Sequence, residues 1–333
     1  MQFCRLNCVE VTAMPGSSLG PFARMFIGIL SMALACAGAQ SQDNLHVAPL
    51  KFDHDKPIVE VMINGKGPFR FIIDTGTAGQ AFVSPGLADE LALPRAGQVT
   101  LIDPSGQGGR KVPIVLLASL QVAGVEFTGV RAAVHNLGNG DGACQGLLGF
   151  ALFRDNLLTL DYPNRRIALT SGGLYPDGGR TVLPFRMNDG IPVVTLAIGA
   201  TPVEAQLDSG GSGLSLPSQL VSRLKFNSEF ATLSNAHSLS TRFTLVGATL
   251  AADVHLGSYT FKRPFVEINP AFPLANFGSS PMQCFSLTFD QKNLLVRFDA
   301  QQKKFRLSTT PTPMRLQNAP GLEPVDTTLI PVG

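Results

Sequence analysis

The chain contains no tryptophan and few charged residues. Asp, Glu, Lys and Arg together form 15% of its 333 residues, and the formal net charge is +2. Because nucleic-acid-binding surfaces depend on clustered Lys and Arg, which this sequence lacks, we expect no nucleic-acid partner. The five histidines are scattered, and none stands in a His-Glu-x-x-His or Cys/His spacing typical of zinc sites. The sequence therefore predicts neither a metal site nor a cofactor.

Long hydrophobic runs are scarce as well. The clearest follows Arg24 over residues 25–35, with small residues at 36–39. This order is typical of a signal peptide, so we predict one over residues 1–39 and a periplasmic or secreted mature chain. The run is shorter than the roughly 20 residues that cross a bilayer, so we expect no membrane span after cleavage. An uncleaved anchor, a buried helix and a lipid anchor on Cys36 are the alternatives.

Glycine and proline are abundant, with 34 and 24 residues, and 44% of the chain is apolar. Such a composition indicates a globular, β-rich protein with many turns. The length is sufficient for two domains, each with a core of its own.

Two short motifs, Asp74-Thr75-Gly76 and Asp208-Ser209-Gly210, lie 134 residues apart, each after an apolar run. An Asp followed at once by a small hydroxyl residue and a Gly is typical of an aspartate held in a tight loop. Two such loops in matching places predict a pair of carboxylates brought together, which is a general acid–base arrangement.

The surroundings of the two loops repeat too. Residues 82–91 and 214–224 each look like a strand running into a short helix, and Ser84 before Pro85 is a typical helix start. Residues 122–127 and 256–261, again 134 apart, each look like a strand, a turn and a strand. The chain is therefore interpreted as two copies of one β-rich unit.

A third match aligns residues 146–158 with 283–295 without gaps, at an offset of 137, and predicts closing hairpins over 160–169 and 298–307. Each unit then has about 120 residues, near the usual domain size. The predicted organisation is a lead-in at 40–56, lobes at 57–170 and 181–307, a linker at 171–180 and a flexible tail at 308–333.

These motifs resemble those of aspartic proteases of the pepsin and retropepsin class, in a two-lobed form similar to predicted bacterial periplasmic aspartyl proteases. The marks in the first lobe are Asp74-Thr75-Gly76-Thr77 and Leu147-Leu148-Gly149, and the resemblance covers about residues 55–307. It implies an all-β fold of two tandem β-barrel lobes, each giving one Asp. It also implies an exported endopeptidase that acts as a monomer on peptide or protein substrates.

The resemblance assigns the catalytic role to Asp74 and Asp208. Two carboxylates a few ångströms apart cannot both be ionised cheaply, so we expect them to share one proton. The ionised Asp takes a proton from a water molecule, the neutral Asp donates one to the scissile carbonyl, and no covalent intermediate forms. The residues expected to hold the dyad loops are Thr75, Gly76, Thr77, Ser209 and Gly210.

The second lobe differs from the family pattern at two places. Gly211 stands where the family has a Ser or Thr that hydrogen-bonds the catalytic carboxylate. The gapless alignment puts Cys284-Phe285-Ser286 where a second apolar-apolar-Gly is expected. These differences leave a second hypothesis open, in which the fold binds peptides or partner proteins and cleaves them weakly or not at all.

A Gly-rich hairpin between residues 99–102 and 112–115 has the place of the family's flap. Its predicted substrate-covering residues are Ser105, Gly106, Gln107, Gly108 and Gly109. An ordinary surface hairpin is the alternative. The second lobe has a weaker flap candidate at residues 237–242.

Two cysteines, Cys144 and Cys284, remain after the predicted cleavage. Export favours a disulfide between them, but they do not occupy equivalent positions in the repeat. We expect two unpaired thiols.

Overall fold

The computed structural model describes residues 45–53, 55–102, 109–136, 144–237 and 242–307. For residues 235–237 and 242–243 it describes the backbone only. The predicted signal peptide and the predicted tail lie outside these residues. Contacts divide the chain into units at Met1–Gln42 and Asp43–Gly333, and the fold below is that of the second. It is all-β, as predicted. Within the described residues, no helix is long and apolar enough to cross a membrane.

Two copies of one set of elements follow each other along the chain. The first set is β1 (His46–Pro49), β2 (Lys51–Asp53), β3 (Lys56–Ile63), β4 (Lys66–Asp74), β5 (Ala81–Val83), α1 (Pro85–Glu90), β6 (Arg95–Ile102), β7 (Gly109–Val122), β8 (Val125–Val134), β9 (Gly146–Gly149), a 3-10 helix (Phe150–Phe153), β10 (Leu157–Asp161) and β11 (Arg166–Thr170).

The second set is β12 (Val182–Pro184), β13 (Arg186–Asn188), β14 (Ile191–Ile198), β15 (Thr201–Leu207), β16 (Leu214–Pro217), a 3-10 helix (Ser218–Arg223), β17 (Ala231–His237), β18 (Arg242–Thr249), β19 (Val254–Leu256), β20 (Tyr259–Phe261), β21 (Phe265–Asn269), β22 (Ala275–Phe277), α2 (Ser279–Met282), β23 (Ser286–Asp290), β24 (Leu295–Asp299) and β25 (Lys304–Phe305).

Each copy forms a barrel-like sheet, which we call the first and the second lobe. The first has eight strands in the order β2-β3-β4-β9-β5-β8-β7-β6, and an additional β3–β7 pairing closes it. The second has eleven strands in the order β17-β18-β21-β16-β22-β15-β14-β19-β20-β25, with β13 on β14. The strand that ends in each dyad loop, β4 or β15, lies in the middle of its sheet, beside a parallel neighbour, β9 or β22.

A third sheet joins the lobes. Its six strands run in the order β1-β11-β10-β23-β24-β12, so each lobe gives one hairpin and one edge strand. At its centre Thr159 faces Thr288, 129 residues later, and their hydroxyl oxygens are 2.9 Å apart. The two halves of this sheet are related by a pseudo-twofold axis that passes between these threonines.

The pairing of Thr159 with Thr288 corrects the predicted alignment of the later repeat. The offset there is 129 residues, not 137. With this offset β9, β10 and β11 correspond to Ala275–Phe277, Ser286–Asp290 and Leu295–Asp299. The predicted closing hairpin at 298–307 is also wrong, because β25 pairs in parallel with β20 and not with β24. Because alternating apolar residues recur in both halves, a gapless sequence alignment of the two halves is compatible with more than one strand register.

Local turn and cap chemistry explains the elements that were predicted well. The hydroxyl oxygen of Ser84 accepts a hydrogen bond from Leu87 N (3.2 Å) and caps α1, as expected. Its counterpart in the second lobe follows Pro217, which has no side-chain acceptor, and is a 3-10 helix instead. The β7–β8 and β19–β20 hairpins confirm the two predicted strand-turn-strand units.

The predicted lead-in connects the lobes. β1 lies at the edge of the shared sheet, next to β11. Between β2 and β3, the carbonyl oxygen of Asp55 accepts a hydrogen bond from the hydroxyl of Ser279 in α2. The Asp55 carboxylate accepts another from Gln283 Nε2 at 2.9 Å.

The predicted linker is held in place by Asp290. Its carboxylate, 2% exposed, accepts Leu174 N at 2.8 Å and Asn293 Nδ2 at 2.7 Å, as well as the backbone N–H groups of Lys292 and Asn293. Burial alone would raise the pKa of Asp290, but these hydrogen bonds outweigh it and the pKa is lowered. The linker boundaries stay a prediction.

Asp290→Asn is therefore expected to lower the free energy of unfolding by about 2–3 kcal/mol in urea titrations near pH 7. The pKa of Asp290 is lowered in the folded state, so its ionised carboxylate contributes its whole stabilisation at pH values above the ordinary Asp pKa of about 4. The contribution is lost as the pH falls below that value. Asp155→Asn is the matched control, since the Asp155 side chain is 74% exposed, and it should cost less than about 0.5 kcal/mol. Equal stability of both variants would contradict the assignment.

Candidate active site

The two predicted aspartates occupy equivalent positions at the ends of β4 and β15. Asp74 is in register with Gly149 of the parallel strand β9. Asp208 directly follows β15 and donates its N–H to the carbonyl of Phe277, at the end of β22 (3.1 Å). The Oδ1 atoms of Asp74 and Asp208 accept the N–H groups of Gly76 and Gly210, both at 2.9 Å. The same tight loop therefore holds each carboxyl group.

Thr75 and Ser209 lock the two loops together. The N–H of Thr75 donates to Ser209 Oγ, and the N–H of Ser209 donates to Thr75 Oγ1, both at 3.0 Å. Each hydroxyl then donates across the interface, Thr75 Oγ1 to the carbonyl of Leu207 and Ser209 Oγ to that of Ile73, both at 2.7 Å. Both side chains are fully buried. All four bonds cross between the lobes, so they fix the relative position of the two aspartates.

The glycines of the two motifs leave room for the opposite carboxyl group. A Cβ atom on Gly76 would lie 2.4 Å from Cγ of Asp208, and one on Gly210 would lie 2.4 Å from Cγ of Asp74. Any side chain at either position would collide with a carboxyl group. The two glycines therefore permit each loop to approach the aspartate of the other lobe closely.

The pKa of Asp74 is raised to about 7. Burial is the largest cause, and the charge of Asp208 is the second. A hydrogen bond with Asp208 acts in the same direction, while one from Thr77 opposes it. Asp74 and Asp208 each keep part of their surface exposed, which leaves them accessible to a water molecule and a substrate.

The two carboxylates differ in their outer partners. Thr77 Oγ1 donates to Asp74 Oδ2 at 2.8 Å, as the resemblance implied. In the second lobe Gly211 has no hydroxyl, but its N–H donates to Asp208 Oδ1 at 2.8 Å. Asn276 Nδ2 donates to Asp208 Oδ2, also at 2.8 Å. Asp208 thus has the equivalent outer hydrogen bond from a residue that the sequence analysis did not single out.

Asn276 occupies the space that a Thr side chain at position 211 would need. A Cβ on Gly211 would lie 2.5 Å from Asn276 Nδ2 and 2.7 Å from Asp208 Oδ2. The strand registers make Leu147 the counterpart of Asn276, since each pairs with the strand that ends in its own dyad loop. The Thr77 and Leu147 pair of the first lobe is therefore replaced by Gly211 and Asn276 in the second.

The expected loss of a glycine at Ser286 is wrong. The counterpart of Gly149 is Gly278, because Phe277 O, immediately before it, accepts the N–H of Asp208. A Cβ on Gly149 would lie 2.4 Å from the carbonyl oxygen of Gly79, and one on Gly278 would lie 2.6 Å from that of Gly213. Both lobes keep the glycine because the loop backbone passes directly over it. Ser286 instead begins β23 in the shared sheet.

The predicted flap is partly described. β6 and β7 form an antiparallel hairpin in which Ile102 faces Gly109, the first residue of β7. Ser105, Gly106, Gln107 and Gly108 lie outside the described residues. In the second lobe β17 and β18 pair in the same way, and the tip of that hairpin, 238–241, is likewise outside.

The thiols of Cys144 and Cys284 are unpaired, as expected, and both are half-buried. Burial raises the pKa of both, that of Cys284 to about 11. Thiols in such surroundings stay protonated at neutral pH and are poor nucleophiles.

The first lobe is similar to a known protein family. Residues 59–152 match the family model described as aspartyl protease. This aspartyl protease match begins within β3 and ends within the 3-10 helix after β9, so it includes Asp74, Thr77 and Gly149. No curated protein matches the chain. The second lobe lies outside the match, and its equivalence to the first rests on strand order and on the contacts of Asp208.

Proposed function

We propose that the chain is an aspartic endopeptidase that hydrolyses peptide bonds with Asp74 and Asp208. The observation that carries the proposal is the reciprocal hydrogen bonding of Thr75 and Ser209, which brings two aspartate loops together across the lobe interface. The aspartyl protease match of the first lobe supports the same chemistry. Both aspartates come from one chain, so the proposed active form is a monomer.

The hydrogen-bond partners of the two aspartates and the raised pKa of Asp74 support one assignment of the general base and the general acid. Asp208 accepts hydrogen bonds from Gly210 N, Gly211 N and the Asn276 amide, so donors hold both of its oxygen atoms in place. The raised pKa of Asp74 favours its protonated form. In the proposed reaction Asp208 takes a proton from the attacking water while Asp74 donates one to the carbonyl oxygen of the scissile bond. Water attacks directly, and no covalent intermediate forms.

The proposed substrate is an extended peptide or an unfolded protein segment that binds between the lobes, covered by the β6–β7 hairpin. We also propose export, on the basis of the predicted signal peptide at residues 1–39, to the periplasm or the medium. Sequencing the N-terminus of the chain recovered from either place tests this part. A mature chain that still begins near residue 1 would contradict it.

The non-cleaving alternative rested on Gly211 and Ser286. Asn276 supplies the hydrogen bond that Gly211 lacks, and Gly278 stands where Ser286 was expected to replace a glycine. Both contacts support the cleaving hypothesis. Tight inhibitor binding without cleavage would favour the non-cleaving alternative.

The proposed function is tested by incubating the predicted mature chain, residues 40–333, with a reduced, unfolded substrate protein and measuring cleavage. Because a protonated Asp74 is required and its pKa is raised to about 7, we expect kcat to be high below that pH and to fall about tenfold per pH unit above it. A hydroxyl-bearing transition-state mimic of aspartic proteases should stop the reaction. Activity that rises through pH 7 to a plateau above pH 8 would contradict the assignment of Asp74 as the acid.

A further inference from the structure

A row of polar side chains crosses the second lobe beside the dyad. Strand pairing places one residue from each of four adjacent strands in line, and residues paired in this way project from the same face of a sheet. On β15, β22, β16 and β21 these residues are Gln206, Asn276, Ser215 and Glu267.

This face of the sheet is the one on which the catalytic aspartate lies, because Asn276 reaches Asp208 from it. Residues next to the row in sequence project to the other side. Leu207, Leu214 and Phe277, for example, are at most 3% exposed and belong to the lobe's core. The polar row therefore lies on the dyad side of the sheet. Asn276 and Ser215 are only 6% exposed there, whereas Gln206 and Glu267 are half-buried and reach the surface.

The equivalent row in the first lobe is apolar. Its members, in register on β4, β9, β5 and β8, are Ile72, Leu147, Phe82 and Ala133. The two walls beside the dyad thus have different chemistry although the strands correspond one to one. One wall fits apolar side chains, while the other offers an amide pair, a hydroxyl and a carboxylate.

Glu267 is the charged member of the polar row. Its Oε1 atom lies 3.2 Å from where a Cβ on Gly213 would be, so the carboxyl group lies against the loop that continues from Asp208. The residue is half-buried, and burial raises its pKa. Its neighbour on β18 is Gly247, which offers no partner. Within the described residues no cation or hydrogen-bond donor contacts the carboxylate, and a half-buried carboxylate without a partner is unfavourable.

We propose that Glu267 selects substrates with a Lys or Arg side chain next to the scissile bond, while the apolar row of the first lobe receives an apolar side chain. A cation from the substrate would pair with the carboxylate in a partly desolvated site, where charge pairing is stronger than at an open surface. This inference rests on the proposed peptidase function and names its substrate class.

Matched peptides test the selection. In one series Lys is placed at each position on either side of the scissile bond, and in the other norleucine replaces it. We expect kcat/KM of the wild type to be at least about tenfold higher for Lys than for norleucine at one position. In Glu267→Gln this ratio should fall to between one and about two. The ratio is insensitive to partial misfolding, which lowers both rates equally, and Glu126→Gln, an exposed carboxylate, should leave it unchanged.

A binding measurement separates this inference from the proposed function. Asp74→Asn is used to bind the labelled Lys and norleucine peptides without cleaving them, with and without Glu267→Gln. A tenfold preference for Lys that Glu267→Gln removes supports the inference even if the wild type cleaves neither peptide, which would overturn only the function. A wild type that cleaves both peptides equally, or a preference that survives Glu267→Gln, overturns the inference and leaves the function intact.

Discussion

Asp208→Asn is expected to lower kcat for peptide hydrolysis by at least about a thousandfold, with KM nearly unchanged. The amide has almost the shape of the carboxyl group and can still accept the N–H groups of Gly210 and Gly211, so the loop should keep its structure. It cannot take a proton from the attacking water. The measurement is kcat and KM for one peptide substrate, with the fold of the variant checked by thermal unfolding.

Asp74→Asn should have an effect of similar size, because an amide cannot donate its proton as an acid does. The double variant should be little worse than either single variant, since residues that act as one unit are not additive. Asp89→Asn, an exposed residue of α1, is the matched control and should retain full activity. A dyad variant that keeps more than a tenth of the wild-type kcat would refute the proposed roles.

Replacing Gly211 and Asn276 one at a time is expected to lower kcat strongly, and replacing both is expected to restore most of it. Asn276→Leu removes the donor to Asp208 Oδ2, and Gly211→Thr forces a side chain into the space of the Asn276 amide. Each single variant should lower kcat about a hundredfold. The double variant rebuilds the first lobe's pair of Thr77 and Leu147, with a Thr hydroxyl in place of the amide. It should return to within about tenfold of the wild type.

The double-mutant cycle is the measurement. Two independent hundredfold losses would add to about 5.4 kcal/mol, and the double variant should lose no more than about 1.4 kcal/mol. The coupling energy should therefore be at least about 4 kcal/mol, as expected only for residues that share one space or one partner. The rescue also distinguishes a positioning role of Asn276 from general damage to the fold, because two damaging changes would add. Additive losses would show that Asn276 does not stand in for the missing hydroxyl.

The features that the sequence predicted well depend on few neighbouring residues. An Asp-Thr-Gly or Asp-Ser-Gly loop and the Ser84 cap are local chemistry, so their residue types can be recognised without the fold. Composition and turns indicated a β-rich protein, and the resemblance to aspartic proteases implied the all-β class. The first dyad loop was also the part that a known family model covers.

The features that the sequence could not give depend on register between distant strands. Nothing in the local sequence distinguishes Asn276. It can donate a hydrogen bond to Asp208 only because β22 lies beside β15. A signal for the correct offset was present. The turns at Asp161 and Asp290 each have an Asn three residues later that hydrogen-bonds the carboxylate, which fixes the offset of 129. Glu267 was missed for the same reason, since its place in the polar row follows from pairing with Ser215.

We propose that Asp74 and Asp208 together bind the water and the oxygen atoms of a reacting peptide bond. The most direct test compares the Kd of a hydroxyl-bearing transition-state mimic with that of the same compound lacking the hydroxyl, by calorimetry on the wild type and on Asp208→Asn. We predict that the hydroxyl tightens binding to the wild type by at least about a hundredfold and that Asp208→Asn removes most of this gain. Equal affinity of the wild type for both compounds would contradict it.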